Sequence, residues 1–164
     1  MDVRSALKSQ YRGGLEMMRQ CIDRCPEELW TSGEYPRTYD RIATHAVFFT
    51  DLYMRQSEQA HQDWQDITPA TYADLDEDAP PDTHIDRQHL LDYLDYVYAA
   101  VDSVVDGLDL DTDDPGFYWY KNISKMEHQM MNLRHLQGHV GQLSELLMAH
   151  GIEIDWVAKH PRNA

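Results

Sequence analysis

The clearest helical signal in the chain lies in residues 124–151, which read SKMEHQMMNLRHLQGHVGQLSELLMAHG. Ser124 is a suitable N-cap, and Glu127 stands three residues later, where a glutamate completes a capping box. Gly151 is a suitable stop, because glycine readily adopts the left-handed conformation that ends many helices. These signals predict one long helix that begins near Ser124 and ends before Gly151.

Three further segments carry apolar residues at the three-and-four spacing that is typical of a helix. They are residues 3–25, a second helix that begins near Thr38, and residues 87–108. Residues 26–37 are expected as a loop, whereas the polar, proline-containing residues 57–86 predict a crossover. No segment shows sustained two-residue alternation. The pattern predicts an all-α fold, a four-helix bundle with a long crossover between helices 2 and 3.

The whole chain is predicted to form one domain. Residues 1–164 show no internal repeat, linker or low-complexity tail. Apolar residues make up 42% of the chain, which argues against disorder. A domain of this length buries roughly two-thirds of the surface of its unfolded chain. We therefore expect it to fold without needing a metal for that purpose.

The acidic balance of the chain restricts its partners. The formal net charge is −15, from 29 acidic and 14 basic residues, and no run rich in Lys or Arg interrupts it. Nucleic acids and anionic membranes require cations on the protein, so neither is an expected partner. The N-terminal residues do not resemble a signal peptide, and no run of about 18 apolar residues exists, so a cytoplasmic location is expected. Cys21 and Cys25 are then expected as free thiols that line the core.

Three histidines form a candidate metal site. His135 and His139 lie four residues apart, which places both imidazoles on one face of a helix, one turn apart. His45 lies in the inward apolar stripe of the second helix, with Ile42 and Phe49. Three neutral imidazoles from two helices can coordinate zinc, nickel or ferrous iron and leave positions open for water or substrate. In the alternative interpretation, His45 is a core histidine satisfied by a hydrogen bond and the pair is partly exposed, and the residues alone do not decide between the two.

The order of these histidines resembles the DinB/YfiT-like family of metal-dependent enzymes. One His on the second of four helices is followed about ninety residues later by the HxxxH pair, and residues 132–143, NLRHLQGHVGQL, are similar to that family's fourth helix. The resemblance implies an up-down-down-up bundle in which His45, His135 and His139 hold nickel, zinc or iron. Characterised relatives include thiol-dependent transferases and isomerases, so a low-molecular-weight thiol is implied as a co-substrate. Gly138 stands where many relatives carry another His, and this departure touches no proposed ligand.

The resemblance also sets the expected function. We expect a metal-dependent enzyme of the thiol-transferase, isomerase or hydrolase type that acts on a small molecule and forms a homodimer. One alternative is a non-catalytic bundle that binds a metal or a small molecule, with a stress-related role. Another is a purely structural bundle that dimerises through an exposed helix face. No general base can be named from the sequence.

Two further features concern the surroundings of the site. His128 lies on the same helix face as His135 but about 10 Å further along the axis. It is therefore expected at the pocket mouth or on the surface, and not as a ligand. Tyr118, Trp119 and Tyr120 are expected to cap the core, with lining of a substrate pocket as the alternative.

Overall fold

The structure is a computed structural model that describes residues 2–76 and 83–158. Within these ranges the chain forms helices α1 (Val3–Asp23), α2 (Glu27–Trp30), α3 (Tyr39–Met54), α4 (Arg87–Gly107) and α5 (Lys125–Met148). No strand occurs in the same ranges, which confirms the prediction of an all-α chain. The four predicted helices correspond to α1, α3, α4 and α5. None of these helices combines the length and the apolar character that a membrane crossing requires.

The short helix α2 corrects the prediction that residues 26–37 form only a loop. Trp30, the last residue of α2, is buried, and its indole N–H donates a hydrogen bond to the Ile85 carbonyl at 2.9 Å. A helix of one turn contains too few residues to show a periodic apolar pattern. The apolar pattern therefore could not indicate this helix.

The long helices share one apolar core. α1 and α3 each pack against both α4 and α5, and the apolar stripes meet in buried residues such as Leu94, Val101 and Leu143. Gly14 in α1 allows α5 to approach closely, because a Cβ at this position would lie 2.7 Å from Cδ2 of Leu136. This contact explains a glycine in the interior of α1, where it otherwise lowers helix stability.

The crossover between α3 and α4 packs on α3 and is not uniformly polar. Ile67 and Ile85 are buried within it. The buried carboxylate of Asp40, in the first turn of α3, accepts hydrogen bonds from Nδ1 of His84 at 2.9 Å and from the Ile85 N–H at 3.2 Å. A buried carboxylate requires such donors. The end of the crossover is thus fixed to the start of α3.

Lys125 joins the other end of α3 to the start of α5. Its buried ammonium group donates to the backbone carbonyls of Arg55 at 2.5 Å, Gln56 at 3.0 Å and Pro115 at 2.9 Å. Burial lowers the pKa of Lys125 to about 8. A cation placed here satisfies carbonyls that the end of a helix leaves without intrahelical partners.

Candidate metal centre

The structure brings the three predicted histidines together where α3 contacts α5. His45 comes from α3, and His135 and His139 come from successive turns of α5. Nε2 of His135 lies 3.2 Å from Nε2 of His45 and 3.2 Å from Nε2 of His139. One nitrogen from each ring lies within 4.8 Å of the other two. This group could hold a metal ion.

Two of the three rings are oriented by hydrogen bonds from their other nitrogen. Nδ1 of His45 lies 2.7 Å from the Ala73 carbonyl, which can only accept, so Nδ1 carries the proton. Nδ1 of His139 lies 3.1 Å from Oε1 of Gln142, which is likewise an acceptor. In the neutral form both rings therefore present a bare Nε2 to the centre of the group. Ligating histidines in metal proteins are commonly held in this way.

His135 has no such partner for its other ring nitrogen. Its Nδ1 is buried and has no hydrogen-bond partner among the described residues, and an ion bound at Nε2 would not supply one. With the proton on Nδ1, the tautomer that metal binding requires, the three Nε2 lone pairs face one another at short distance. A cation between the three Nε2 atoms would remove this repulsion, so the donor set fits a bound metal ion.

Burial keeps all three imidazoles in the neutral form that binds metals. Desolvation lowers the pKa of His45 to about 4. Desolvation, together with the two neighbouring imidazoles, lowers the pKa of His135 to about 3. The pKa of His139 is also lowered, again mainly by burial. The rings are therefore uncharged at neutral pH, and no proton has to leave before a metal binds.

The arrangement leaves part of the coordination sphere open. Among the described residues, no fourth His, Cys, Asp or Glu joins the three histidines. Three protein ligands with an open position are typical of catalytic zinc sites, whereas structural sites are closed by four protein ligands. The free positions are thus available to water or to a small molecule.

Cavities lie on two sides of the histidines. One of about 360 Å³ is bordered by His135 and His139 together with Tyr53, Tyr120 and Arg134. In this cavity the Tyr120 hydroxyl donates to the Tyr53 hydroxyl at 3.2 Å. A small molecule entering here would meet the imidazole rings of His135 and His139 and a pair of hydroxyl groups.

The second cavity, of about 350 Å³, opens beside His45 and His139 and is also bordered by Arg37 and Asp74. Each of the two cavities is thus bordered by one arginine, although the protein as a whole is strongly acidic. Neither Arg37 nor Arg134 forms an ion pair with another described residue. Both residues are exposed. Arg134 is available to an anionic group of a ligand, because no Asp or Glu lines its cavity, whereas Arg37 shares its cavity with Asp74 and Asp76.

Arg41 positions the carbonyl that orients His45. The guanidinium of Arg41 is fully buried and donates to the carbonyls of Thr83 at 3.0 Å, Asp74 at 2.5 Å and Thr71 at 3.3 Å. Ala73 lies between two of these anchored residues. The hydrogen-bond acceptor for His45 is thus fixed by a residue one helical turn away from it. The sequence contained one indication of this role: Arg41 follows Asp40 at the start of an apolar helix, and charged residues are rarely buried there without partners.

Polar residues on α5 fix its register against α1 and α3. The Asn132 side chain donates to the Thr50 carbonyl at 3.0 Å and to the Tyr11 hydroxyl at 3.1 Å. The Gln129 side chain donates to the Tyr53 carbonyl at 2.8 Å and accepts from the Tyr11 hydroxyl at 2.8 Å. These bonds lie within two turns of the histidine pair. They hold the α5 histidines opposite α3, a role that the sequence alone did not predict.

The expectation that His128 lies at the pocket mouth or on the surface is wrong, although it is not one of the three converging histidines, as expected. The side chain is fully buried, and it stacks on Phe117 with ring centroids 4.7 Å apart. Neither ring nitrogen has a hydrogen-bond partner among the described residues. Burial, with a smaller effect of the Lys125 charge, lowers the pKa of His128 to about 4. Periodicity identified the inward face correctly, but it gave no sign that the segment preceding α5 folds over this part of the helix.

The aromatic residues before α5 also differ from the expectation. Tyr118 is 78% exposed and Trp119 is 38% exposed, so neither caps the core. Phe117, which the sequence analysis did not select, is buried and takes that role. Tyr120 borders the cavity beside His135, as the alternative interpretation suggested.

Cys21 and Cys25 are buried free thiols that belong to the core, as predicted. Burial raises the pKa of Cys21 to about 12 and that of Cys25 to about 11. A protonated, buried thiol is neither a good nucleophile nor a metal ligand.

Comparison with known proteins gives no match: no family model, no curated protein and no solved structure is significantly similar to this chain. The resemblance to DinB/YfiT-like proteins therefore stays a prediction. The function has to be inferred from the chemistry of the site.

Proposed function

We propose that the protein binds one divalent metal ion through Nε2 of His45, His135 and His139, and that it is a metal-dependent enzyme acting on a small molecule. The observation that carries the proposal is the convergence of three neutral imidazoles, two of which are already oriented by hydrogen bonds from Nδ1. Zinc, nickel and ferrous iron all accept such a donor set. The open coordination side and the adjoining cavities favour catalysis over a purely structural role.

The four long helices are proposed to form a four-helix bundle of the DinB/YfiT type, with the crossover between its second and third helices. The support is the packing of α1 and α3 against both α4 and α5, together with the order of the histidines along the chain. A homodimer and a cytoplasmic location follow from the sequence analysis and stay predictions.

The proposed reaction is of the thiol-transferase, isomerase or hydrolase type. When bound, the ion supplies Lewis acidity, which can activate a water molecule or a thiol. The chain itself supplies three neutral ligands and the hydroxyl groups of Tyr53 and Tyr120 beside them. Arg134 borders the cavity beside His135, which no Asp or Glu lines, and would orient a carboxylate, a group that low-molecular-weight thiols commonly carry.

Metal analysis of protein purified without a polyhistidine tag tests the proposal. We expect about one ion per chain, and single replacement of His45, His135 or His139 by Ala should weaken binding by at least about tenfold. His150→Ala is the matched control, because His150 is exposed at the end of α5. The assignment is wrong if the three variants bind metal as well as the control. Thiol-transfer assays with several electrophiles then separate an enzyme from a non-catalytic binding protein.

A further inference from the structure

A cavity of about 610 Å³ lies beside the metal centre and contains none of its proposed ligands. Phe49 and Tyr53 line it; Tyr53 also borders the cavity beside His135, and Phe49 also borders the cavity beside His45, so these two rings stand between the compartments. The volume is within the range of sites that bind small molecules. This cavity is therefore a second candidate binding site with its own chemistry.

The walls of the cavity are aromatic. Phe48, Phe49, Tyr53 and Trp119 all line it. Trp119 leaves 38% of its surface exposed to solvent, which is unfavourable for a large apolar indole ring. Aromatic faces carry negative partial charge and attract cations, with tryptophan the strongest of the three aromatic residue types.

The polar residues of the cavity are acidic. Glu58 and Asp63 line it, and no Lys or Arg does so among the described residues. Glu58 forms no ion pair with another described residue, and the nearest basic group to Asp63 is Nδ1 of His61, at 3.8 Å. The Asp51 carboxylate beneath them is paired with Arg55. Because two carboxylates and no Lys or Arg line it, the cavity presents a negative potential.

His61 lines the cavity and stands between two carboxylates. Its side chain is only 6% exposed. Nε2 lies 3.2 Å from Oδ2 of Asp51, which does not line the cavity, and Nδ1 lies 3.8 Å from Oδ1 of Asp63, which does.

We propose that this cavity binds a small organic cation, namely an amine with an apolar or aromatic body. The ammonium group lies beside Glu58 and Asp63, and the body packs between Trp119 and the phenylalanine rings. An anion would meet the two carboxylates. A metal ion is not favoured, because the donor atoms of Glu58, His61 and Asp63 do not converge as those of the three histidines do. The inference does not depend on the metal centre.

Calorimetric titration with three probes of similar shape tests this inference. Phenethylamine should bind at least about tenfold more tightly than 2-phenylethanol, and phenylacetate should not bind measurably, because only the first carries a positive charge. Equal affinity for the amine and the alcohol would show a general apolar pocket and overturn the proposal. Tighter binding of phenylacetate would overturn it as well.

Variants locate the amine. Glu58→Gln should weaken phenethylamine binding about threefold to fivefold, and Trp119→Ala about tenfold. Glu145→Gln is the control, because it removes the same charge from an exposed position on α5 and should leave the affinity unchanged. If Glu58→Gln behaves like this control, the carboxylate does not recognise the amine and the proposal is wrong.

A third variant separates this site from the metal centre. His135→Ala, which should lose the metal, should bind phenethylamine as the parent does. If its affinity for the amine falls with its metal content, the amine coordinates the ion and the separate cation site does not exist. If metal binding fails in the parent but amine binding follows the pattern above, only the proposed function is refuted.

Discussion

Replacing Arg41 by Met should affect both the stability of the fold and the affinity of the metal centre. The buried guanidinium donates to the carbonyls of Thr71, Asp74 and Thr83, which belong to the crossover. The same crossover supplies the Ala73 carbonyl that holds Nδ1 of His45. Methionine fills much of the volume of arginine but donates no hydrogen bond, so the three carbonyls lose their partner.

The expected magnitude follows from the geometry of these bonds. The bonds to Asp74 and Thr83, at 2.5 Å and 3.0 Å, are well formed, whereas the bond to Thr71 is long at 3.3 Å. Two bonds that involve a charged donor, at about 2 kcal/mol each, give a loss of about 4 kcal/mol in the free energy of unfolding. For a domain of this size this lowers Tm by about 8–16 °C. Loss of the hydrogen bond that orients a ligand weakens metal affinity by about tenfold or more.

Chemical denaturation of the metal-free protein measures the first effect, and competition with a chromophoric chelator measures the second. Arg19→Met is the matched control, because Arg19 pairs with Asp95 on the surface between α1 and α4 and such a pair contributes less than about 1 kcal/mol. If Arg41→Met is destabilised but binds metal as tightly as Arg19→Met, the crossover does not orient His45. If it loses less than about 1 kcal/mol, the guanidinium does not anchor the crossover.

Three other perturbations test the surroundings of the site. Exhaustive chelation should lower Tm but leave a helical, cooperatively unfolding protein, and loss of the helical circular dichroism signal would instead show a structural site. Lys125→Met should cost about 6 kcal/mol in denaturant unfolding, because three carbonyls lose a charged donor at about 2 kcal/mol each, whereas Lys121→Met at an exposed position should be neutral. Because the pKa of His128 is about 4 in the fold and about 6.5 when unfolded, the unfolded chain binds more protons between these values and stability falls as pH falls through them. Metal-free His128→Leu should therefore lose about 2 kcal/mol less stability than the parent between pH 7 and pH 5, and equal losses would contradict the assigned burial.

The helices could be predicted where local chemistry determines them. Ser124 and Glu127 form the reciprocal capping box that their spacing predicts, and α5 begins at the next residue after Ser124. Pro26 follows the end of α1 closely, as expected. Phe49 shows the limit of periodicity: it lies in the apolar stripe of α3 and packs against the core, but it is only partly buried because it also lines two cavities. A stripe identifies the inward face of a helix, and it does not say whether a neighbour fills the space opposite.

The three histidines could also be predicted, but most of what orients them could not. His135 and His139 share a helix, so their proximity follows from spacing, and His45 was placed by the apolar stripe of α3. The Ala73 carbonyl carries no sequence signal, because every residue has one and only the tertiary fold selects which carbonyl meets His45. The role of Asn132 could have been inferred from the sequence, because a polar side chain on the inward face of a helix requires a partner across the interface.

The candidate metal centre and the fold depend on the same helix. α3 is buried on nearly all sides, yet it carries Asp40, Arg41 and Asp51 in addition to His45. Buried polar groups are tolerated where each has a partner, so each of these residues fixes one neighbour relative to α3. Asp40 and Arg41 fix the crossover, and Asp51 accepts from the Tyr93 hydroxyl of α4 at 3.1 Å. His45 is consequently held between a fixed carbonyl on one side and the α5 imidazoles on the other. Because its ring cannot turn toward solvent without losing the Ala73 bond, Nε2 faces the other ligands before any ion arrives, and the burial of polar groups along α3 is what preorganises the site.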